Sequence, residues 1–282
     1  MLSSLFWLSP KVAFALVSFS LGELGDGLNI FQGIYLVGIG WNEGSVGLAL
    51  SLMGLTTLLV QTIAGDVVDK TSIDRRIFLA VASVLTAVSA SAILLVREGN
   101  TDHMMIFITK IIEGLAGSFI GPCLAALTLA SFGPLHFDNV MASNILWGHV
   151  GSVVAALLAG IAGYTLYPNI KYCFLVIGAS ALLAVLFVQY LPEGDRLMGR
   201  GFKGRVAMDE HGHLENLDGT PEAAQNSSPP SNDEDMPKAA SYWVVFADRK
   251  TFILCMTGFF FQYVGYVFVL LGPVLTLTLL CQ

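Results

Sequence analysis

Charge is scarce in this chain: 35 of its 282 residues are Asp, Glu, Lys or Arg, against 55% hydrophobic residues. A soluble monomer of this length has too little interior to hide that much apolar surface, which excludes an ordinary water-soluble globule. The little charge present is unevenly placed. Residues Glu193 to Lys250 carry 18 of the charged side chains, and the other 224 positions share 17. The formal net charge of -7 mostly reflects the acidic half of that segment. No basic surface for nucleic acid is present.

Cysteine is also sparse, and the four thiols (Cys123, Cys173, Cys255, Cys281) stand singly in or beside apolar runs. Neither metal-ligand spacing nor a secreted disulfide framework is present, so buried free thiols are expected. The sequence lacks a nucleophile with an adjacent base, a phosphate-cradling glycine loop and a cofactor motif, so no enzyme and no cofactor are expected. Met1 to Ser9 has no basic residue, and the apolar run that follows passes Gly40 without a small-residue cleavage site. A cleaved signal peptide is therefore not expected.

What the chain has is long apolar runs, at about 11–38, 46–64, 77–96, 103–127, 139–164, 170–191 and 250–279. Each is long enough to cross a hydrocarbon core of roughly 30 Å as a helix. The short connections carry helix breakers and caps: Trp41-Asn42-Glu43-Gly44, the stretch Arg97 to Asp102, Gly133-Pro134 and Pro168-Asn169. The expected fold class is all-α, a polytopic membrane helical bundle. Its expected organisation is a six-helix bundle over 1–191, a cytoplasmic disordered linker over 192–249 and a seventh transmembrane helix over 250–282. The linker begins basic and turns acidic and Ser/Pro/Asn-rich, as solvated chain does. Its Asp209, Glu210, His211, His213 and Glu215 read as a charged loop, not a metal site.

Lys and Arg residues on alternating sides of the spans number 11 against 2, which places the N-terminus in the cytoplasm. The plasma membrane is the expected location. A light-driven pump would need a lysine in the last span, and Thr251 to Gln282 has none. A seven-helix receptor would place its N-terminus outside, against the charge count.

The loop between spans two and three reads Gly65-Asp66-Val67-Val68-Asp69-Lys70-Thr71-Ser72-Ile73-Asp74-Arg75-Arg76. A glycine, an acid four residues on, a base and then a basic pair resemble the hallmark loop of the major facilitator superfamily, with about two extra residues before Arg75. In span four, Lys110-Ile111-Ile112-Glu113-Gly114 is similar to that family's fourth-helix pattern, with lysine in place of the usual arginine. Span five has Gly148, Gly151, Gly160 and Gly163 without the Gly-Pro pair of the family's antiporter motif.

The resemblance covers about 1–191, one six-helix half, followed by the usual joint and helix seven. It implies a secondary active transporter of a small solute that works by alternating access, with Gly65, Asp69, Lys70, Arg75 and Arg76 latching one conformation. It further implies that helices one, four and seven line a central cavity. Five further helices of that family do not follow, so the chain reads as a fragment, a truncated gene product or a splice form. Alternating access would then require self-association or a missing second half. The alternative is a transporter-derived membrane protein with a regulatory or scaffold role.

Ionisable side chains at membrane depth are costly, on the order of 2.5 to 3.5 kcal/mol each, so they mark cavities or partners. Glu23 and Asp26 lie three apart in span one, on one helix face, among Gly22, Gly25 and Gly27; Asn29 and Gln32 extend the polar side. Two close carboxylates at low dielectric do not both stay charged cheaply, so this is a candidate site for a proton or a cationic substrate group. A charge-neutral lock between Lys110 and one of Glu23, Asp26 or Glu113 is an equal alternative. Lys110 otherwise holds an anionic substrate. Three acids to one base leave a surplus acid, the best candidate for proton coupling.

His149 is a candidate relay because histidine titrates near neutral pH, although a hydrogen-bonded neutral ring between helices is the more common role. Gln262, Tyr263 and Tyr266 in span seven are candidates for substrate contact or for helix adhesion. Gly117, Gly121, Ser152, Ala156 and Gly160 follow the small-xxx-small spacing of close helix packing. The expected partners are the lipid bilayer, a small solute and protons.

Overall fold

The start of span two and the break between spans four and five fall where the sequence places a cap and a turn. The computed structural model describes residues 9–22, 24, 29–71, 73–99, 101–166, 169–192, 194–195, 198–200, 207–208, 214–215, 249–250, 252–253 and 256–257. Span one is helical over α1 (Pro10–Gly22) and again over α2 (Asn29–Gly38). Helix α3 (Glu43–Lys70) is span two and opens on Asn42, whose Oδ1 accepts from the backbone N–H of Gly44 at 2.7 Å and of Ser45 at 3.4 Å. Its 28 residues rise about 42 Å, well beyond the apolar run of 46–64. The excess carries Asp66, Asp69 and Lys70 past a hydrocarbon core of roughly 30 Å.

Span three is α4 (Arg75–Ser91), continued by a 3-10 turn at Ala92–Leu95. It starts at Asp74, whose Oδ1 accepts from the Arg76 N–H at 2.9 Å. Helix α5 (His103–Thr165) is broken at Gly133, where φ of 71° and ψ of 172° leave the helical region. A side chain is disfavoured at that φ, and Pro134 suits the first turn of a new helix. The break yields span four (103–132) and span five (134–165) at the expected Gly133-Pro134 connection. Span six is a 3-10 turn at Ile170–Phe174 leading into α6 (Leu175–Val188).

The described part of 192–249 contains a 3-10 turn at Met198–Arg200 and a two-residue antiparallel pairing of β1 (Ala207–Met208) with β2 (Leu214–Glu215). Gly194, Asp195 and Gly199 pack against span four: the Asp195 N–H donates to Ala130 O at 2.8 Å. Gly194, Asp195 and Gly199 are thus packed, although composition alone assigns them to solvated linker. Residues Ala240–Gln282 form a separate compact unit, described only as helical at 249–250, 252–253 and 256–257. Most of the expected seventh span lies outside the described residues.

Two backbone-close crossings set the helix arrangement. Spans one and five meet at Gly22, Gly148 and Gly151: a Cβ on Gly22 would overlap the Gly148 carbonyl, and one on Gly151 would overlap that of Phe19. Ser152 Oγ donates to Gly22 O across this crossing at 2.6 Å. Spans two and four meet at Gly114, where a Cβ would lie 2.6 Å from Met53 O. Thr57 Oγ1 donates to Gly114 O at 3.3 Å, and Ser118 Oγ to Thr57 O at 3.4 Å.

These contacts correct the small-residue stripes read from the sequence. Gly117 and Gly160 face open space, and the nearest atom to a Cβ on Gly121 is Gln61 Nε2 at 3.9 Å. Ser152 does pack, but the buried stripe of span five is Gly151, Ala155 and Ala159, one position before Ser152, Ala156 and Gly160. A four-residue spacing fits either stripe, and helix rotation selects between them.

Aromatic pairs fill the interior between helices: Phe14 with Phe132 edge-on at 5.3 Å, Tyr35 with Phe174 at 5.6 Å, and Phe78 stacked on Phe119 at 6.0 Å. The outward faces are apolar, with Leu48, Leu55, Leu59 and Ile63 exposed on span two and Val153, Leu157 and Ile161 on span five. Contiguous exposed apolar faces of this kind suit lipid.

Candidate functional site

Inside the apolar bundle, three polar side chains from spans one and four form one buried cluster. Lys110 and Glu113 lie one helical turn apart on span four, and Lys110 Nζ donates to Glu113 Oε2 at 2.6 Å. Gln32, on α2, donates through Nε2 to Glu113 Oε1 at 3.0 Å. Both carboxylate oxygens are thereby used. Relative exposures of 0% for Lys110, 6% for Glu113 and 2% for Gln32 place the cluster within the helix packing.

Such a pair survives burial only when its geometry is short and its remaining lone pairs are satisfied. The i,i+3 spacing on span four brings the opposite charges together, and the amide from span one completes the carboxylate. Of the alternatives open from sequence, the geometry joins Lys110 to Glu113. Among the described residues, Gln32 Oε1 has no hydrogen-bond partner.

The other sequence candidates fall elsewhere. Glu23, Asp26, Gln262, Tyr263 and Tyr266 lie outside the described residues, and Asn29 is placed only as the first residue of α2. His149 is exposed on span five, among exposed Ile145, Leu146, Val150 and Val153, and is not part of the Lys110 cluster.

The loop motif lies at the end of span two and the start of span three. Lys70 turns back along its own helix to Asp66 Oδ2 at 2.6 Å, and a Cβ on Gly65 would meet open space. Arg76 pairs with Asp74 at 2.6 Å and donates through Nη1 to Leu191 O at 3.1 Å, tying the start of span three to the end of span six. Arg75 is 6% exposed and lies against Gly199. Asp69 and Arg75 both sit close enough to Cys123 of span four to act on it electrostatically. Arg76 thus reaches span six, while Asp69 and Arg75 share Cys123 of span four as a neighbour. They brace the ends of spans two, three, four and six.

Two features escaped the sequence reading. Asn144 Nδ2 donates to Thr128 Oγ1 at 3.1 Å, a buried bond between spans five and four. An amide within an apolar run was the available signal. Trp41 packs on His103 at 4.9 Å, and His103 on Phe107 at 6.0 Å, joining the end of span one to the start of span four.

Two proteins of Mycobacterium tuberculosis, from the CDC 1551 / Oshkosh and H37Rv strains and each named an uncharacterized MFS-type transporter, are 32% identical to this chain over 186 residues. The aligned stretch is 65% of this chain and 43% of each relative, so the chain spans less than half the length of the curated relatives it matches. No solved structure matches it. The sequence profile of the Major Facilitator Superfamily matches residues 6–280. With long apolar helices among the described residues and a family profile that covers residues 6–280, this chain belongs to the major facilitator superfamily.

Proposed function

We propose that the chain is the N-terminal six-helix half, with helix seven, of a secondary active transporter that moves a small solute by alternating access and is coupled to protons. The observation that carries this reading is the Gln32–Glu113–Lys110 cluster, a charged group kept at membrane depth between spans one and four. Charged groups there are costly and are retained where they serve a pathway or a partner. Within the cluster Glu113 already balances Lys110. By charge count, the proton-carrying role passes to Glu23 and Asp26 of span one. The charge bias of the loops supports a cytoplasmic N-terminus.

Proteoliposomes loaded with a pH-sensitive dye, given a proton gradient and a panel of amino acids, sugars and small organic ions, test the reading. At least one solute is expected to speed collapse of the gradient over protein-free vesicles. A flux that rises with the square of protein density indicates paired copies. If a folded, inserted chain gives no solute-dependent flux at any density, transport by paired copies of this chain is refuted, which leaves a missing second half or a regulatory or scaffold role.

A further inference from the structure

The segment that leaves span six lies on the two arginines that begin span three. Leu191 O accepts from Arg76 Nη1 at 3.1 Å. Three residues later Gly194 takes a φ of 66°, a conformation that disfavours side chains, and a Cβ there would lie 2.6 Å from Ala130 O. Asp195 N–H then donates to Ala130 O at 2.8 Å, and Gly199 N–H to Asp195 O at 2.9 Å. At Gly199 the backbone passes so close to the Arg75 guanidinium that a Cβ would overlap it, and it would also lie 2.9 Å from Ala126 O. Met198 Sδ completes the contact, 3.4 Å from where a Cβ on Gly133 would stand.

We propose that these residues form a strap that closes the end of the six-helix half, seals Arg75 beneath it and keeps water from Cys123. The proposal concerns the half-bundle itself and is independent of what the protein transports. Three separate contacts hold the strap: a carbonyl on Arg76, one backbone bond to the end of span four, and a glycine on Arg75. Two of its glycines stand where any side chain would collide with the helix below. Cys123 is fully buried and has Arg75 and Asp69 as its charged neighbours. A strap that lifts would uncover Arg75 and open a water path to the thiol.

Thiol labelling in lipid nanodiscs tests this, with Cys173, Cys255 and Cys281 replaced by serine so that Cys123 alone reacts. N-ethylmaleimide is expected to label the parent slowly relative to the denaturant-unfolded chain, and Gly199→Val to raise the rate about tenfold through easier local opening. Gly117→Val, in open space on the same helix as Cys123, is expected to label like the parent. Where Gly199→Val does not fold by size-exclusion chromatography, Gly199→Ala and Arg76→Gln take its place. The second removes the bond to Leu191, together with the Arg76–Asp74 pair, without adding bulk. A parent that labels as fast as unfolded chain, or folded strap variants that label no faster than Gly117→Val, would overturn the proposal.

Discussion

Gln32 Nε2 donates to Glu113 Oε1 at 3.0 Å, and this bond joins the second helical stretch of span one to span four. It uses the carboxylate oxygen that Lys110 leaves, so the rotation of α2 about its axis is tied to the placement of a buried charge. A different rotation of α2 would strand Glu113 with half its acceptors unmet in an apolar surrounding, which is expensive.

Removing one partner of the buried pair is therefore costly. Glu113→Ala is expected to destabilise the protein by about 3 kcal/mol, because it leaves the Lys110 ammonium without a counter-charge. The double variant Lys110→Met with Glu113→Gln should recover most of that loss. Thermal unfolding in detergent checks both, and a Glu113→Ala protein as stable as its parent would refute the pairing.

Glycine substitutions should separate contact positions from open ones. Gly151→Val is expected to cost about 3 kcal/mol or more, since its side chain would displace the Phe19 backbone. Gly160→Val, facing open space, should leave the folded yield unchanged. Fluorescence-detected size-exclusion chromatography of both variants measures the difference, and equal yields would disprove the assigned crossing.

The two loop ion pairs should differ in weight. Lys70 keeps 53% of its side chain exposed in its pair with Asp66, and Lys70→Gln is expected to change stability by only about 0.3–0.5 kcal/mol. Asp74→Ala removes a helix cap as well as the partner of Arg76, and a loss of about 1 kcal/mol is expected from the cap alone. Denaturation midpoints of the two variants, compared at low and high salt, test this ranking. The Lys70 effect should fade with salt, while the cap contribution should persist.

Asn144 and Thr128 should be energetically coupled. A double-mutant cycle with Asn144→Ala and Thr128→Val is expected to give a coupling of roughly 0.6 kcal/mol, typical of side-chain bonds between membrane helices. Additive single effects would mean that the bond contributes nothing.

For function, Glu23→Gln with Asp26→Asn is expected to abolish gradient-driven solute accumulation while leaving solute exchange at equal pH intact. Loss of both would indicate a binding or folding role for the span-one carboxylates. Retention of both would remove them from coupling.

Much of the architecture was legible in the amino-acid order. Asn42 and the Gly133-Pro134 pair mark a helix start and a break through local chemistry, and they hold in the fold. The end of span two was less legible: the helix runs on to Lys70 through charged residues, because the Asp66–Lys70 pair suits a helix that has already left the apolar layer. The packed stretch after span six was not legible at all. Its glycines look like linker glycines until Ala130 and Arg75 are seen beneath them.

The sequence by itself determined the number and placement of the apolar segments, the turns between them and the family, because hydrophobic run length and capping are local properties. Tertiary structure alone decided that Glu113 is the partner of Lys110, that Gly151 packs while Gly160 does not, and that Arg75 lies under Gly199. Each of those outcomes depends on how a helix is rotated against its neighbours. Rotation is fixed by the summed packing of many distant residues, and no single stretch of sequence contains it.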